Sequence, residues 1–478
     1  MTVIRNVILP ITRVTSHRES TTDSAIWYIV ACATVLAFAA VLRFCRLDVS
    51  LFEDEIWVAA LARHGGWHAH SYSTPPLFYA IERMWAALRG TDPARLREPA
   101  AFFGVALAAV PLFANRARAT GLIWSMLLAF SSPLLFYSGR IKQYTLEAFV
   151  AAALIVLLLH ALESNATIAW FAFFGLALVG VTTLYSPIFV VGAAALVAVP
   201  PAPRRALPFA LVFAAFVAAY LGYLAPGPES IALHGDMNVF FARNGRWVTS
   251  PSSFLSNTLH FAGQAMNLVR GGWIAGMLAA IVCLFRRIDR MVTVLAFAPL
   301  VAVAAASVRH YYPYGEVRLM IFALPALYLV FASAFSYAAA RTKLIGGLLA
   351  GAFLFAFIWN GVGRETYNST YMYVFELRPL YDFVAANHRD GETIFAVSSL
   401  AAPLRYYHPD LGRAVVLWDS GRVAASGWYV AFTKPPGGEV VLHVQNAWAS
   451  RITLPPAAGG SAPPAVATAN TVRSTETR

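Results

Sequence analysis

The chain has 478 residues, of which 59% are hydrophobic and 13% charged. Soluble domains average about 25% charged residues, so these proportions exclude an ordinary soluble enzyme and indicate a polytopic helical membrane protein. A formal charge of +12 does not indicate a nucleic-acid partner here, because arginines gather on the cytoplasmic loops of membrane proteins.

Residues 1–23 are polar and carry Arg5, Arg13 and Arg18, which places them in the cytoplasm. The apolar run Ala25 to Leu42 is long for a signal-peptide core. It reads as an uncleaved first helix over 24–43, although Ala37-Phe38-Ala39 resembles a cleavage site. Arg43 and Arg46 follow on the far side, against the charge rule, and so suggest an anionic ligand. Cys32 and Cys283 fall inside apolar spans and Cys45 ends one, with neither pairing nor metal spacing.

The first outer loop, 44–97, opens with three adjacent acids, Glu53, Asp54 and Glu55. Such neighbours repel one another, which raises at least one pKa unless cations or a metal compensate. Ile56, Trp57, Ala60 and Leu61, then Leu77, Ile81 and Trp85, recur at helical spacing. They predict two short amphipathic helices at the membrane surface. A solvated turn explains the acids alone equally well. His64, His68 and His70 lie near, but their spacing with Asp54 or Glu55 fits no standard metal pattern.

Further spans are expected at about 98–114, 120–137, 144–161, 168–185, 187–200, 206–224, 271–285, 291–307, 319–338 and 344–360. That makes about eleven transmembrane helices, N-terminus in and C-terminus out, with arginines on every second loop. The exceptions are Arg140 with Lys142, Arg243 with Arg246, and Arg309 with Arg318, all on expected outer turns. Basic residues placed against the topological bias need an anionic ligand or headgroups to snorkel towards. Beside them, Gln143 and Tyr144 can hydrogen-bond a phosphate or sugar, and Glu147 is an acid one turn into a span. Tyr312 and Tyr314 fit an interfacial aromatic belt or stacking on sugar rings, and His310 is more readily a surface histidine than a base.

After residue 360 the composition turns soluble. A helix is expected at 379–387 and strands at 393–397, 414–418, 428–433 and 440–444. Residues 361–453 thus form a small periplasmic α/β appendage, too short for a large catalytic domain. The Ala/Pro-rich tail, 454–478, has the composition of disorder. Asn368-Ser369-Thr370 matches a glycosylation sequon, a weak three-residue pattern.

Leu51-Phe52-Glu53-Asp54-Glu55-Ile56-Trp57, Thr74-Pro75-Pro76-Leu77-Phe78-Tyr79, Ser132-Pro133 through Tyr137-Ser138-Gly139-Arg140-Ile141-Lys142-Gln143-Tyr144, and Tyr312-Pro313-Tyr314-Gly315-Glu316-Val317-Arg318-Leu319 together resemble the GT-C superfamily of integral membrane glycosyltransferases. The branch is the bacterial one related to protein O-mannosyltransferases and the lipid A aminoarabinose transferase, and the likeness covers roughly 25–360. It implies Asp54 as general base and Glu55 as its partner, a polyprenyl-phosphate-linked sugar as donor, and an acceptor (glycan, lipid or protein) outside the bacterial cytoplasmic membrane. It leaves a divalent metal ion open. Many relatives have Glu-x-Arg in the second outer loop where this chain has Gly139-Arg140-Ile141-Lys142, so a metal role at that acid does not carry over.

One carboxylate suffices for inverting transfer, taking the proton of the attacking hydroxyl. A lipid phosphate leaves as an anion and needs cations, for which Arg140, Lys142 and Arg318 stand ready. A transporter or flippase of a lipid-linked anion would instead place charges and broken helices at mid-bilayer in related halves. A lipid-linked polysaccharide polymerase or ligase would share the donor chemistry.

Overall fold

The computed structural model describes residues 21–453, apart from 46, 52, 65–74, 115, 165, 185, 201, 220–237, 268, 270–271, 286, 367–375, 419–424, 433, 435–438 and 445–446. The terminal tails, the sequon, His68 and His70 therefore lie outside the described residues. The chain divides into two compact units, Met1–Val374 and Phe375–Arg478.

The first unit is helical. Its elements are α1 (Thr21–Phe44), α2 (Glu53–His64), α3 (Pro76–Arg89), α4 (Pro93–Ala109), α5 (Arg118–Ala129), α6 (Ser132–Ser138), α7 (Tyr144–Ser164), α8 (Thr167–Thr183), α9 (Pro187–Ala198), α10 (Pro203–Ala219), α11 (Pro251–Ala265), α12 (Gly272–Phe285), α13 (Arg287–Val308), α14 (Leu324–Thr342) and α15 (Leu344–Thr366). Six segments are long and apolar enough to cross a bilayer: Ala25–Phe44, Pro93–Phe113, Tyr144–Ser164, Arg290–Val308, Ile321–Thr342 and Leu344–Gly363. Helices α5 and α6 form a seventh candidate, bent by 57° at their junction. At the other four expected spans stand apolar helices that are shorter, Thr167–Val181, Pro187–Ala198, Ala206–Ala215 and Ile274–Phe285.

The chain is thus a multi-pass membrane protein, and its surface agrees. Leu344, Ile345, Leu348, Phe355 and Trp359 share one face of α15 and are 64–72% exposed. That is unfavourable in water but expected against lipid. Inside the bundle the large side chains are buried, and Trp124 donates its indole N–H to the Pro325 carbonyl at 2.8 Å.

Both helices expected in the first loop are present, as α2 and α3. Proline at the first position of α3 suits a helix start, where no backbone N–H bond is lost. Arg43 does not behave as a residue set aside for an anionic ligand. It is 2% exposed, and its guanidinium donates to the carbonyls of Ala39, Ala129 and Leu128 at 3.1, 3.0 and 3.3 Å.

The second unit carries a five-stranded sheet of order β2-β1-β3-β5-β4, with β1 (Ile394–Ala396), β2 (Val415–Leu417), β3 (Gly427–Ala431), β4 (Glu439–Val444) and β5 (Ala447–Ile452). Strand β1 runs parallel to β2 and β3, while β5 is antiparallel to β3 and β4. Helices α16 (Arg378–Asn387) and α17 (Ser398–Tyr407) supply Leu380, Tyr381, Val384, Leu400 and Leu404 to its core. Neither α17 nor β5 was anticipated. An internal Pro403 masks the first. The second, Ala-Trp-Ala-Ser-Arg-Ile, has weak strand propensity and is held by pairing on both sides.

Candidate active site

The acids of the first loop open helix α2, with Glu53, Asp54 and Glu55 as its first three residues. Asp54 lies in the first turn by its backbone; its side chain, like that of His64, is outside the described part of the structure. Glu55 is 2% exposed and is the centre of a buried cluster. Its carboxylate accepts from Arg97 at 2.9 and 2.8 Å, from Arg140 at 2.8 Å and from the Ile141 backbone N–H at 3.0 Å. Arg97 has no exposure and also donates to the carbonyls of Leu47, Val49 and Ser50. It thereby ties the end of the first span to the start of α2.

Burial alone would lift the Glu55 carboxyl, but the charges of Arg97 and Arg140 and the bonds they and Ile141 donate hold it down at about 2. A carboxylate so saturated is an anchor rather than a base. It fixes the rotation of α2 and hence the position of the backbone at Asp54.

Close to this pair is an acid that the sequence analysis passed over. Glu82, on α3, has no exposure, and among the described residues neither of its carboxyl oxygens has a hydrogen-bond partner. Burial first, and then the neighbouring Glu55 charge, push it well above the usual carboxylate range. Both effects favour the protonated form of Glu82. The available signal was an acid inside the Leu77, Ile81, Trp85 helical pattern. Arg97, also passed over, was legible only as a charge just before an apolar run.

From α6 the chain passes through Gly139 and Arg140 into α7. Lys142 and Gln143 are 7% and 5% exposed. The Tyr144 ring packs edge-on against Tyr137 at 5.0 Å. Glu147 is 3% exposed and accepts a hydrogen bond from Ser186 at 2.6 Å. Tyr312 reaches this group from the turn before α14. Burial, then the proximity of Glu147 and Tyr144, raise its pKa well above the usual phenol value, and its hydroxyl donates to the Leu319 carbonyl at 2.7 Å. The fold thus brings Tyr144 and Tyr312 together across 168 positions of sequence (312 − 144).

The same turn carries Tyr314 and Arg318. Gly315 has φ +87°, and a Cβ there would lie 2.6 Å from that of Asn257, so α11 lies against a turn that requires glycine. Tyr314 stacks on Phe254 at 5.4 Å and meets the Thr258 hydroxyl at 3.0 Å. Glu316 is shared by two arginines, Arg246 at 3.1 Å and Arg318 at 3.7 Å, and the Arg318 side chain is 24% exposed. Arg246 and Gln264 converge on the same His260 nitrogen, at 3.1 and 3.0 Å. Both can only donate there, so that nitrogen accepts and His260 is neutral. Burial and then Arg246 lower its pKa accordingly.

Among the described residues no group of three or more His, Cys, Asp or Glu side chains could hold a metal ion. A cavity of about 440 Å³ opens between α8, α9 and α10, lined by apolar side chains that include Phe173, Ile188, Val191, Ala195 and Phe213.

No family model matches the sequence, and no curated protein does. The fold does have solved counterparts. ArnT from Cupriavidus metallidurans in the apo state superposes with a TM-score of 0.52 at 13% identity, over 90% of this chain and 98% of that one. The same protein bound to undecaprenyl phosphate gives 0.52 at 12% identity with the same coverage. A looser likeness is to the Archaeoglobus fulgidus oligosaccharyltransferase tethered with an acceptor peptide, at TM-score 0.47 and 12% identity, over 85% of this chain and 69% of that one. No argument rests on a score that low. At such identities the likeness concerns the fold alone: this chain has the architecture of ArnT, the GT-C fold that its motifs resemble.

Proposed function

We propose that the protein is an inverting glycosyltransferase that moves a sugar from a polyprenyl-phosphate donor to a hydroxyl outside the bacterial cytoplasmic membrane. The acceptor oxygen attacks the anomeric carbon while Asp54 takes its proton. The bond from that carbon to the phosphate oxygen breaks, its electrons leave with the phosphate, and the configuration inverts. Lys142 and Arg318 grip the departing phosphate, and Arg140 reaches it from its place on Glu55. Gln143, Tyr144, Tyr312 and Tyr314 shape the sugar pocket. The eleven apolar helices cross the bilayer with the N-terminus inside, 24–360 is the transferase domain, and 361–453 lies in the periplasm.

The observation that carries this reading is the Glu55 anchor. A buried carboxylate held by Arg97 and Arg140 fixes the first turn of α2, and the resemblance of the motifs puts the base at the adjacent Asp54. The fold neighbour's occupancy by undecaprenyl phosphate and the apolar cavity, roomy enough for part of an isoprenoid chain, support a lipid-linked donor.

One observation favours the flippase reading, the bend between α5 and α6. It stands alone among the described residues, with no counterpart in a second half, and its polar groups are met by side chains. The test is turnover of labelled polyprenyl-phosphate sugar in membranes. Asp54→Asn should lower it at least about 100-fold; unchanged turnover removes Asp54 as base. Mass spectrometry of envelope glycans and lipids from a strain lacking the protein then identifies sugar and acceptor.

A further inference from the structure

We infer that Asn267 is a positioning residue. It holds the break between α5 and α6 and thereby sets where Arg140 meets Glu55. Only its kinetic consequence rests on the transferase reading above.

A broken span leaves carbonyls at the end of one helix and N–H groups at the start of the next, and hydrocarbon satisfies neither. Here the Leu128, Ala129 and Phe130 carbonyls and the Ser132 N–H are met by side chains from elsewhere. The Asn267 amide oxygen accepts the Ser132 N–H at 2.7 Å. Its amide nitrogen donates to the Phe130 carbonyl at 3.0 Å and to Phe357 of α15 at 2.8 Å. Arg43 of α1 takes the Ala129 and Leu128 carbonyls. Tyr328 of α14 gives its only hydroxyl hydrogen to the Ala265 carbonyl at 2.6 Å, so the Ser131 hydroxyl, 2.9 Å away, is the donor to Tyr328.

Two backbone features serve the same junction. Asn267 has φ +51°, the left-handed region that asparagine tolerates better than most residues. Gly361 lies so close that a Cβ there would sit 2.1 Å from the Phe130 carbonyl oxygen and 2.7 Å from the Asn267 amide nitrogen. Asn267 itself is 1% exposed. Four elements therefore specify one bend of 57°.

The bend aims α6. Its first N–H is that of Ser132, and its last residue, Ser138, comes six residues later, about 9 Å along at helical rise, with Arg140 two residues beyond. Over that lever arm a 10° change in the bend would displace Arg140 by about 2 Å. That is enough to break its 2.8 Å bond to Glu55 and the adjoining bond from the Ile141 N–H. Displacements of that order at an active site lower turnover by about 100-fold.

The test uses the full chain in lipid nanodiscs. Asn267→Gly keeps the left-handed backbone and removes the amide. Asn267→Asp keeps an acceptor for the Ser132 N–H and loses both donors, and it carries the test if the glycine variant fails to accumulate. Hydrogen exchange is read at the Ser132 and Ile141 amides. Both should exchange at least about tenfold faster in the variants, with the sheet of the second unit unchanged. Acceleration at Ser132 with Ile141 at the wild-type rate overturns the proposal. In turnover, kcat should fall at least about tenfold with the donor KM rising by a smaller factor, because Arg140 is displaced from the departing phosphate while Arg318 still holds the donor. An unchanged kcat in a transferase-active protein overturns it equally. Should the wild type show no transferase activity, that reading fails, and the Ile141 exchange alone decides the role of Asn267.

Discussion

Two clusters pair arginine with glutamate, and they are built differently. Around Glu55 the arginines are essentially unexposed, with side-chain exposures of 0% for Arg97 and 8% for Arg140. Around Glu316 the pairs are looser, and Arg246 and Arg318 keep 19% and 24% of their side chains exposed. Desolvated charges cannot exchange partners cheaply, so the first cluster acts as architecture. The second can trade Glu316 for another anion at little cost, which suits a phosphate that must arrive and leave.

Breaking the first cluster should produce the largest change. Arg97→Ala leaves Glu55 buried with half its bonds and should destabilise the protein by about 3–5 kcal/mol, measured by unfolding in detergent. A shift below about 1 kcal/mol would mean that the cluster is no anchor. The Glu55 carboxyl is held from 4.5 down to about 2. Its contribution is therefore complete above about pH 4.5 and is lost only as the pH falls towards 2. The Ile141 amide, bonded to Glu55, should accordingly stay protected from exchange at pH 4.

The second cluster should respond in binding and not in stability. Arg318→Gln should move the unfolding free energy by less than about 1 kcal/mol, yet weaken undecaprenyl phosphate binding by about tenfold or more. Unfolding in detergent reads the first arm and isothermal titration the second, and an unchanged Kd would remove Arg318 from the phosphate site.

The smallest expected effect concerns Glu82, beside the first cluster but with no cation of its own among the described residues. Its folded pKa is raised, so the folded state prefers the protonated form, and stability declines as the pH rises above the unfolded value. Glu82→Gln mimics that protonated form. Its unfolding temperature should exceed the wild type's by a few degrees at pH 8, with the gap closing towards pH 4. A gap independent of pH would place a partner on Glu82.

Much of this molecule was readable along the chain. Hydropathy is a local sum, and a helix needs only neighbours three and four residues away, so apolar helices stand at the expected spans, one of them broken into α5 and α6 and four of them short of a full crossing. The acids that open α2, the helices of the first loop and four of the five strands were legible for the same reason. Helix α17 and strand β5 were not, because pairing and packing, not propensity, hold them in place. The bend at Phe130 was only half legible: Pro133 marks the start of a new helix, but the angle is held by side chains from other helices.

The sequence by itself determined which residues are embedded and which charges stand near the ends of the spans, because burial in lipid is decided window by window. Only the tertiary structure decided which arginine meets which acid. Glu55 finds Arg97 and Arg140 at separations of 42 and 85 residues, and Asn267 finds Ser132 at 135. Coulomb and hydrogen-bond energies depend on distance in space, and no periodicity along a chain encodes a contact of that kind.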